Sequence, residues 1–181
     1  MKGQITIKEI ILLIPMLMLG MMCFGQTTYY VSANGTDSGD GDAIGIPWLT
    51  LSYAVSNAAD DDTIIIDGSG GTLFIPSGKL NVDKSLTFQG INDAVIDGTD
   101  NPSSLFIFNA DGKTVVFKDL KIQNKTNDNT GGVFFVGSQP NNNITLENLV
   151  IINCSGQNHG GVLAINTSGS NNTVLTINKC Y

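Results

Sequence analysis

Apolar residues in most of this chain fall in runs of four to six, separated by Gly, Asn and Asp. Residues 114–124 read TVVFKDLKIQN, and residues 143–153 read NITLENLVIIN. Landmarks of the first stretch recur 29 positions later: Val115 with Ile144, Phe117 with Leu146, Leu120 with Leu149, Ile122 with Ile151, Asn124 with Asn153. Gly131-Gly132-Val133 maps onto Gly160-Gly161-Val162 by the same step. Leu86, Phe88 and Ile91 precede Val115, Phe117 and Leu120 by 29, while Leu175, Ile177 and Cys180 follow Ile144, Leu146 and Leu149 by 31. The runs are rich in Val, Ile, Phe and Thr and too short for helices, so they predict strands. Three short strands per unit at a fixed period predict one turn of a parallel β-helix solenoid, an all-β fold. A β-sandwich also repeats its strands, but it gives no reason to preserve a long fixed register.

Stacked turns place like residues over like. Val115, Ile144 and Leu175 are expected in one interior column, and Phe117, Leu146 and Ile177 in another. Asn124 and Asn153 fall at the bend after the second strand, where Asn tolerates the turn and hydrogen-bonds to neighbouring turns. The Gly-Gly pairs permit a sharp entry into the third strand. That strand is apolar throughout, so either Phe134 and Val136 or Val133 and Phe135 face inward. Cys180 falls in the column of Leu149, and Cys154 lies five residues further along its own turn. The two are not stacked, so two buried free thiols are expected, the alternative being a disulfide that an oxidising compartment would permit.

Three segments follow. Residues 1–25 combine Lys2 and Lys8, an apolar run from Ile10 to Met22, and Cys23-Phe24-Gly25. This is the pattern of a signal peptide. The apolar run is thirteen residues long, whereas a membrane span needs roughly 20, and Pro15 weakens it further. A retained anchor, a buried core helix, and a lipoprotein processed at Cys23 are the lesser alternatives. Residues 26–62 form an N-terminal cap: a strand from Tyr29 to Ser32, a Gly/Asp/Ser loop, and a helix within Thr50–Ala59. That helix presents Leu51, Ala54, Val55 and Ala58 on one face, with Trp48 beside it. It is expected to stop before Asp60-Asp61-Asp62, because acidic residues oppose the dipole at a helix C-terminus. Residues 63–181 form the coils. They stop inside a strand at Tyr181, so a solenoid truncated at its C-terminal end is expected.

Composition narrows the function. The chain has 181 residues, nine Lys with no Arg, sixteen acidic residues and a net charge of −7. A nucleic-acid partner needs a basic stripe, and there is none. With the leader removed, seven Lys stand against fifteen acidic residues. The leader points to export, hence to an extracellular or bacterial cell-surface or outer-membrane location.

The order Tyr29-Tyr30-Val31-Ser32, Asn34-Gly35-Thr36-Asp37, Gly39-Asp40-Gly41, Pro47-Trp48-Leu49-Thr50-Leu51 and Asp62-Thr63-Ile64 resembles the opening of secreted right-handed β-helix proteins of the pectin-lyase-like fold. The Gly-Gly-Val repeats are similar to those of polymorphic outer-membrane-protein-type adhesins. The resemblance implies the fold over nearly all of the mature chain, and either of two activities. Pectin-lyase-like lyases abstract a proton with Arg or Lys, often with Ca²⁺. The related glycoside hydrolases carry paired Asp residues and a Gly-His-Gly.

Set against those chemistries, Lys118, Lys121 and Lys125 form the most enzyme-like cluster. No repeated carboxylate accompanies it, so Lys118 and Lys121 read more simply as outward-facing strand residues that keep the surface soluble. His159 aligns with Thr130 and reads as a loop residue before the Gly pair. Asp37, Asp40 and Asp42 read as a solvated turn, with Ca²⁺ binding through their carboxylates as the alternative, and Asp60 to Asp62 read as a solvated boundary. There is no phosphate-binding loop and no zinc spacing. No catalytic, cofactor-binding or metal residue is therefore assigned. The expectation is a secreted or surface β-helix, adhesin-like and without catalysis of its own, that binds glycans or surface proteins. Any membrane attachment would run through a missing C-terminal anchor. The alternative is the N-terminal part of a polysaccharide lyase or glycoside hydrolase.

Overall fold

A computed structural model describes residues 25–75, 78–127, 132–138, 141–156, 160–166 and 172–181. The chain opens with β1 (Thr28–Ser32) and α1 (Leu51–Asn57). A first coil follows: β2 (Asp62–Asp67), β3 (Leu73–Phe74) and β4 (Leu80–Asn81). The second coil holds β5 (Leu86–Ile91), β6 (Val95–Asp97) and β7 (Phe106–Phe108). The third holds β8 (Thr114–Lys118), β9 (Lys121–Gln123), β10 (Thr126–Asn127) and β11 (Phe134–Val136). The fourth holds β12 (Asn143–Glu147), β13 (Val150–Ile152), β14 (Ser155–Gly156) and β15 (Leu163–Ile165), and β16 (Val174–Asn178) begins a fifth.

Each strand pairs in parallel with its counterpart one coil away. The sheets run β1-β2-β5-β8-β12-β16, β3-β6-β9-β13, β4-β7-β11-β15 and β10-β14. This is the parallel β-helix that the repeat predicts. Val115 pairs with Ile144 and Phe117 with Leu146, and Ile144 and Leu146 pair in turn with Leu175 and Ile177. Leu86 and Phe88 pair with Val115 and Phe117. A sandwich would separate these residues onto facing sheets; here they are successive rungs.

Apolar side chains inside the coils stack along the axis. Phe88 and Phe117 lie parallel, with centroids 4.6 Å apart. Phe106 and Phe134 approach Phe117 edge-on at 4.7 and 5.0 Å. The third strand is settled with Phe134 and Val136 inward and Phe135 half-buried; Val133 is also buried, at the corner. Ile177, expected inside, is 57% exposed because no described strand lies beyond β16.

The N-terminal segment closes the first coil. Thr50 caps α1 by accepting from Tyr53 N, and Leu51, Ala54, Val55 and Ala58 are buried as the periodicity predicts. Trp48 stacks on Tyr29 at 4.6 Å and meets Tyr53 edge-on at 5.3 Å. The strand β1 is itself the first rung of the long sheet. Lys84, from the second coil's approach, donates to the carbonyls of Val55, Ser56 and Ala58 at 2.9, 3.1 and 2.6 Å. A cation is thereby placed where the helix leaves its carbonyls unpaired.

The corners are held by side-chain ladders. Asn153 donates to Asn124, which donates to Asp97. Asn172 donates to Asn141, which donates to Asp111, and Asn148 donates to Asp119. Asp119, Asn124, Asn148 and Asn153 all have φ between 50° and 58°. Asn and Asp tolerate this left-handed region better than other non-glycine residues.

Candidate functional site

Between the second and third coils the 29-residue register breaks at one corner, and a groove opens there. Phe88 pairs with Phe117, but Ile96, not a residue 29 before, pairs with Ile122. Eight residues separate Phe88 from Ile96, against five from Phe117 to Ile122. The expected match of Ile91 with Leu120 is therefore corrected. Ile91 pairs back onto Asp67 of the first coil, and Lys121 N bonds to the carbonyl of Ala94. The second coil carries three extra residues at this corner, and the third and fourth coils do not.

The wide corner overhangs the narrow ones below it. Gly90 sits directly against the carbonyl oxygen of Asp119, where no Cβ would fit. The resulting groove, of about 610 Å³, has Ile91, Asp93 and Val95 along one wall. Asp119 and Lys121 of the third coil and Val150 of the fourth form the other side. Val150 is 39% exposed, an apolar side chain facing solvent within a polar rim. Such a surface can pack against an apolar ring face while the rim takes hydrogen bonds.

Residues singled out from the sequence have separate fates. Lys118 and Lys121 are half-exposed strand residues. Lys125 is completely buried, donating to the carbonyls of Asn101 and Thr126 at 2.6 and 2.9 Å. Its stem passes Gly98, where an added Cβ would come within 2.9 Å of Lys125 Cδ. The three lysines do not converge. Asp37 accepts from Leu49 N, Thr50 N and Thr50 Oγ1, which fixes the loop that enters α1. Among the described residues no group of three or more His, Cys, Asp or Glu is placed to hold a metal. His159 and the leader to Phe24 lie outside the described residues.

The Asp60–Asp62 boundary is not uniformly solvated. Asp62 is buried, because it ties Thr27 N and Ala59 N at 2.8 and 2.6 Å and so locks β1 and α1 to the first coil. Asp60 pairs with Lys113 and accepts from Ser85 N; the backbone bond first, then the lysine, holds its carboxyl below the usual range.

Two buried aspartates repeat one device. Asp67 accepts from Ser69 N, Ser69 Oγ and Asn92 Nδ2. Asp97 accepts from Thr99 N, Thr99 Oγ1, Gln123 Nε2 and Asn124 Nδ2. Burial pushes both carboxyls up, but the hydrogen bonds to the ionised form outweigh it and both end below the ordinary value. Both are structural anions at the foot of corners.

The cysteines are free thiols, half-buried rather than fully buried. Burial raises the pKa of Cys154. That makes it a poor nucleophile, because the thiolate is the reactive form.

The chain is thus an all-β protein of the parallel β-helix class. A solved rhamnogalacturonan lyase is similar to it, with TM-score 0.43 and 17% identity over 85% of this chain. The match spans 51% of that lyase, so this chain corresponds to about half its length. No family model matches the sequence, and no curated protein matches it.

Proposed function

We propose that this chain is a secreted or cell-surface β-helix module that binds glycan and carries out no catalysis of its own. The groove at the step between wide and narrow corners carries the reading. It offers half-buried Ile91 and Val95 and exposed Val150 beside the side chains of Asp93, Asp119 and Lys121. Sugar rings present an apolar C–H face and equatorial hydroxyls, and the groove complements both. Export is supported by the leader pattern of residues 1–25.

Binding of the purified chain to a glycan array, followed by calorimetry on the hits, tests the reading. Saturable binding that is lost in Val150→Trp, with melting temperature unchanged, is the expected result. Incubation with polygalacturonate and with rhamnogalacturonan supplies the counter-test. Release of unsaturated products by this chain would replace the binding reading with a lyase.

A further inference from the structure

We infer that the groove accepts a sugar chain lacking carboxylates and rejects acidic polysaccharide. This rests on the glycan-binding reading above and specifies its ligand class. Two carboxylates, Asp93 and Asp119, and one ammonium, Lys121, line the groove, so its own charge is negative. Both aspartates are exposed, and their φ values of 55° and 58° place them at the projecting corners of successive coils.

Asp119 Oδ1 accepts from Asn148 Nδ2 at 2.8 Å, which holds the carboxylate in place at this rung of the ladder. An ionised carboxylate accepts up to about four hydrogen bonds and donates none. It therefore suits hydroxyl groups, which donate, and opposes uronate groups, which do not. The background acts in the same direction: the chain carries −7 overall and no Arg, so the bidentate guanidinium fork that recognises carboxylates is missing. Lys121 alone does not reverse the sign of the groove.

The experiment uses calorimetry at low ionic strength, where repulsion between surface charges is least screened. The probes are neutral gluco-, manno- and galacto-hexasaccharides and hexagalacturonate, titrated into the purified chain and into the double variant Asp93→Asn, Asp119→Asn. Asn already occupies the equivalent corner in Asn148 at φ 50°, so the variant keeps the backbone. At least one neutral hexasaccharide binds the native chain, and hexagalacturonate binds it at least about tenfold more weakly. In the double variant that gap narrows by about fivefold or more, and added salt narrows it in the native chain but not in the variant. Hexagalacturonate binding as tightly as the neutral probes, or a gap that ignores both the substitutions and salt, overturns the inference while leaving glycan binding intact. Binding of neither class to the native chain removes the proposed function itself.

Discussion

Replacing Phe117 by Ala probes the column on which the coils are threaded. The side chain is fully buried and stacked on Phe88 at 4.6 Å, with Phe106 and Phe134 edge-on against it. Deleting a buried phenyl ring costs about 3–5 kcal/mol through lost transfer energy and the cavity left behind. Aromatic pairs contribute roughly 0.5–1.5 kcal/mol each beyond their area. Partial collapse of neighbouring rings recovers some of this, so the expected loss is about 4 kcal/mol. Against a total stability of about 5–15 kcal/mol that is a large fraction. Phe117→Leu is the matched control, because Leu146 fills the same rung one coil on. Its expected cost is about 1–1.5 kcal/mol. Urea unfolding followed by far-ultraviolet circular dichroism measures both. A cost below about 1 kcal/mol for the Ala variant would contradict a tightly packed interior at this rung, and with it the axial stacking.

Three further outcomes follow from other contacts. Lys84→Met leaves three carbonyls at the end of α1 without their charged donor, costs about 2 kcal/mol, and alters Trp48 fluorescence because Trp48 packs edge-on against Tyr53 of that helix. Asp97 has a folded-state pKa below that of an ordinary aspartate, so its contribution is fully present above the unfolded value and is lost as the pH falls through the lower folded value. Acid titration of stability should therefore show a shallower limb in Asp97→Asn than in the native chain; identical limbs would refute the role. Gly90→Ala drives a Cβ into the Asp119 carbonyl, a backbone atom that cannot swing away, and is expected to cost more than about 2 kcal/mol in thermal or urea melts.

The solenoid was legible because its interior columns repeat in the chain itself. Val115, Ile144 and Leu175 are similar residues at near-constant spacing, and parallel pairing turns that spacing directly into contact. The groove was not legible for the same reason in reverse. It arises where the spacing breaks, and Ile91 happens to lie 29 before Leu120, so a spurious match hid the three extra residues. The interior position of Lys125 did have a signal: it lies 29 before Cys154, which packs against the core. Lys84 offered none, since its partners are helix carbonyls more than twenty residues away. Asp62 reads as part of a solvated boundary and nothing in the sequence marks Asp67 or Asp97, because hydrogen bonds from Thr27, Asn92 and Gln123 depend on how distant segments meet.

Each corner ladder ends on an aspartate nearest the N-terminus: Asp97, Asp111 or Asp119. A carboxylate has no proton to give, so the amide above it must offer its nitrogen. That choice leaves the same amide's oxygen facing the following rung, and the next Asn is obliged to point the same way. One anion per column thus dictates the sense of every amide above it, as a keyed first tooth sets a zip. Were that base residue an amide, the whole file could reverse, and the molecule would gain a second, nearly equivalent wiring at each edge.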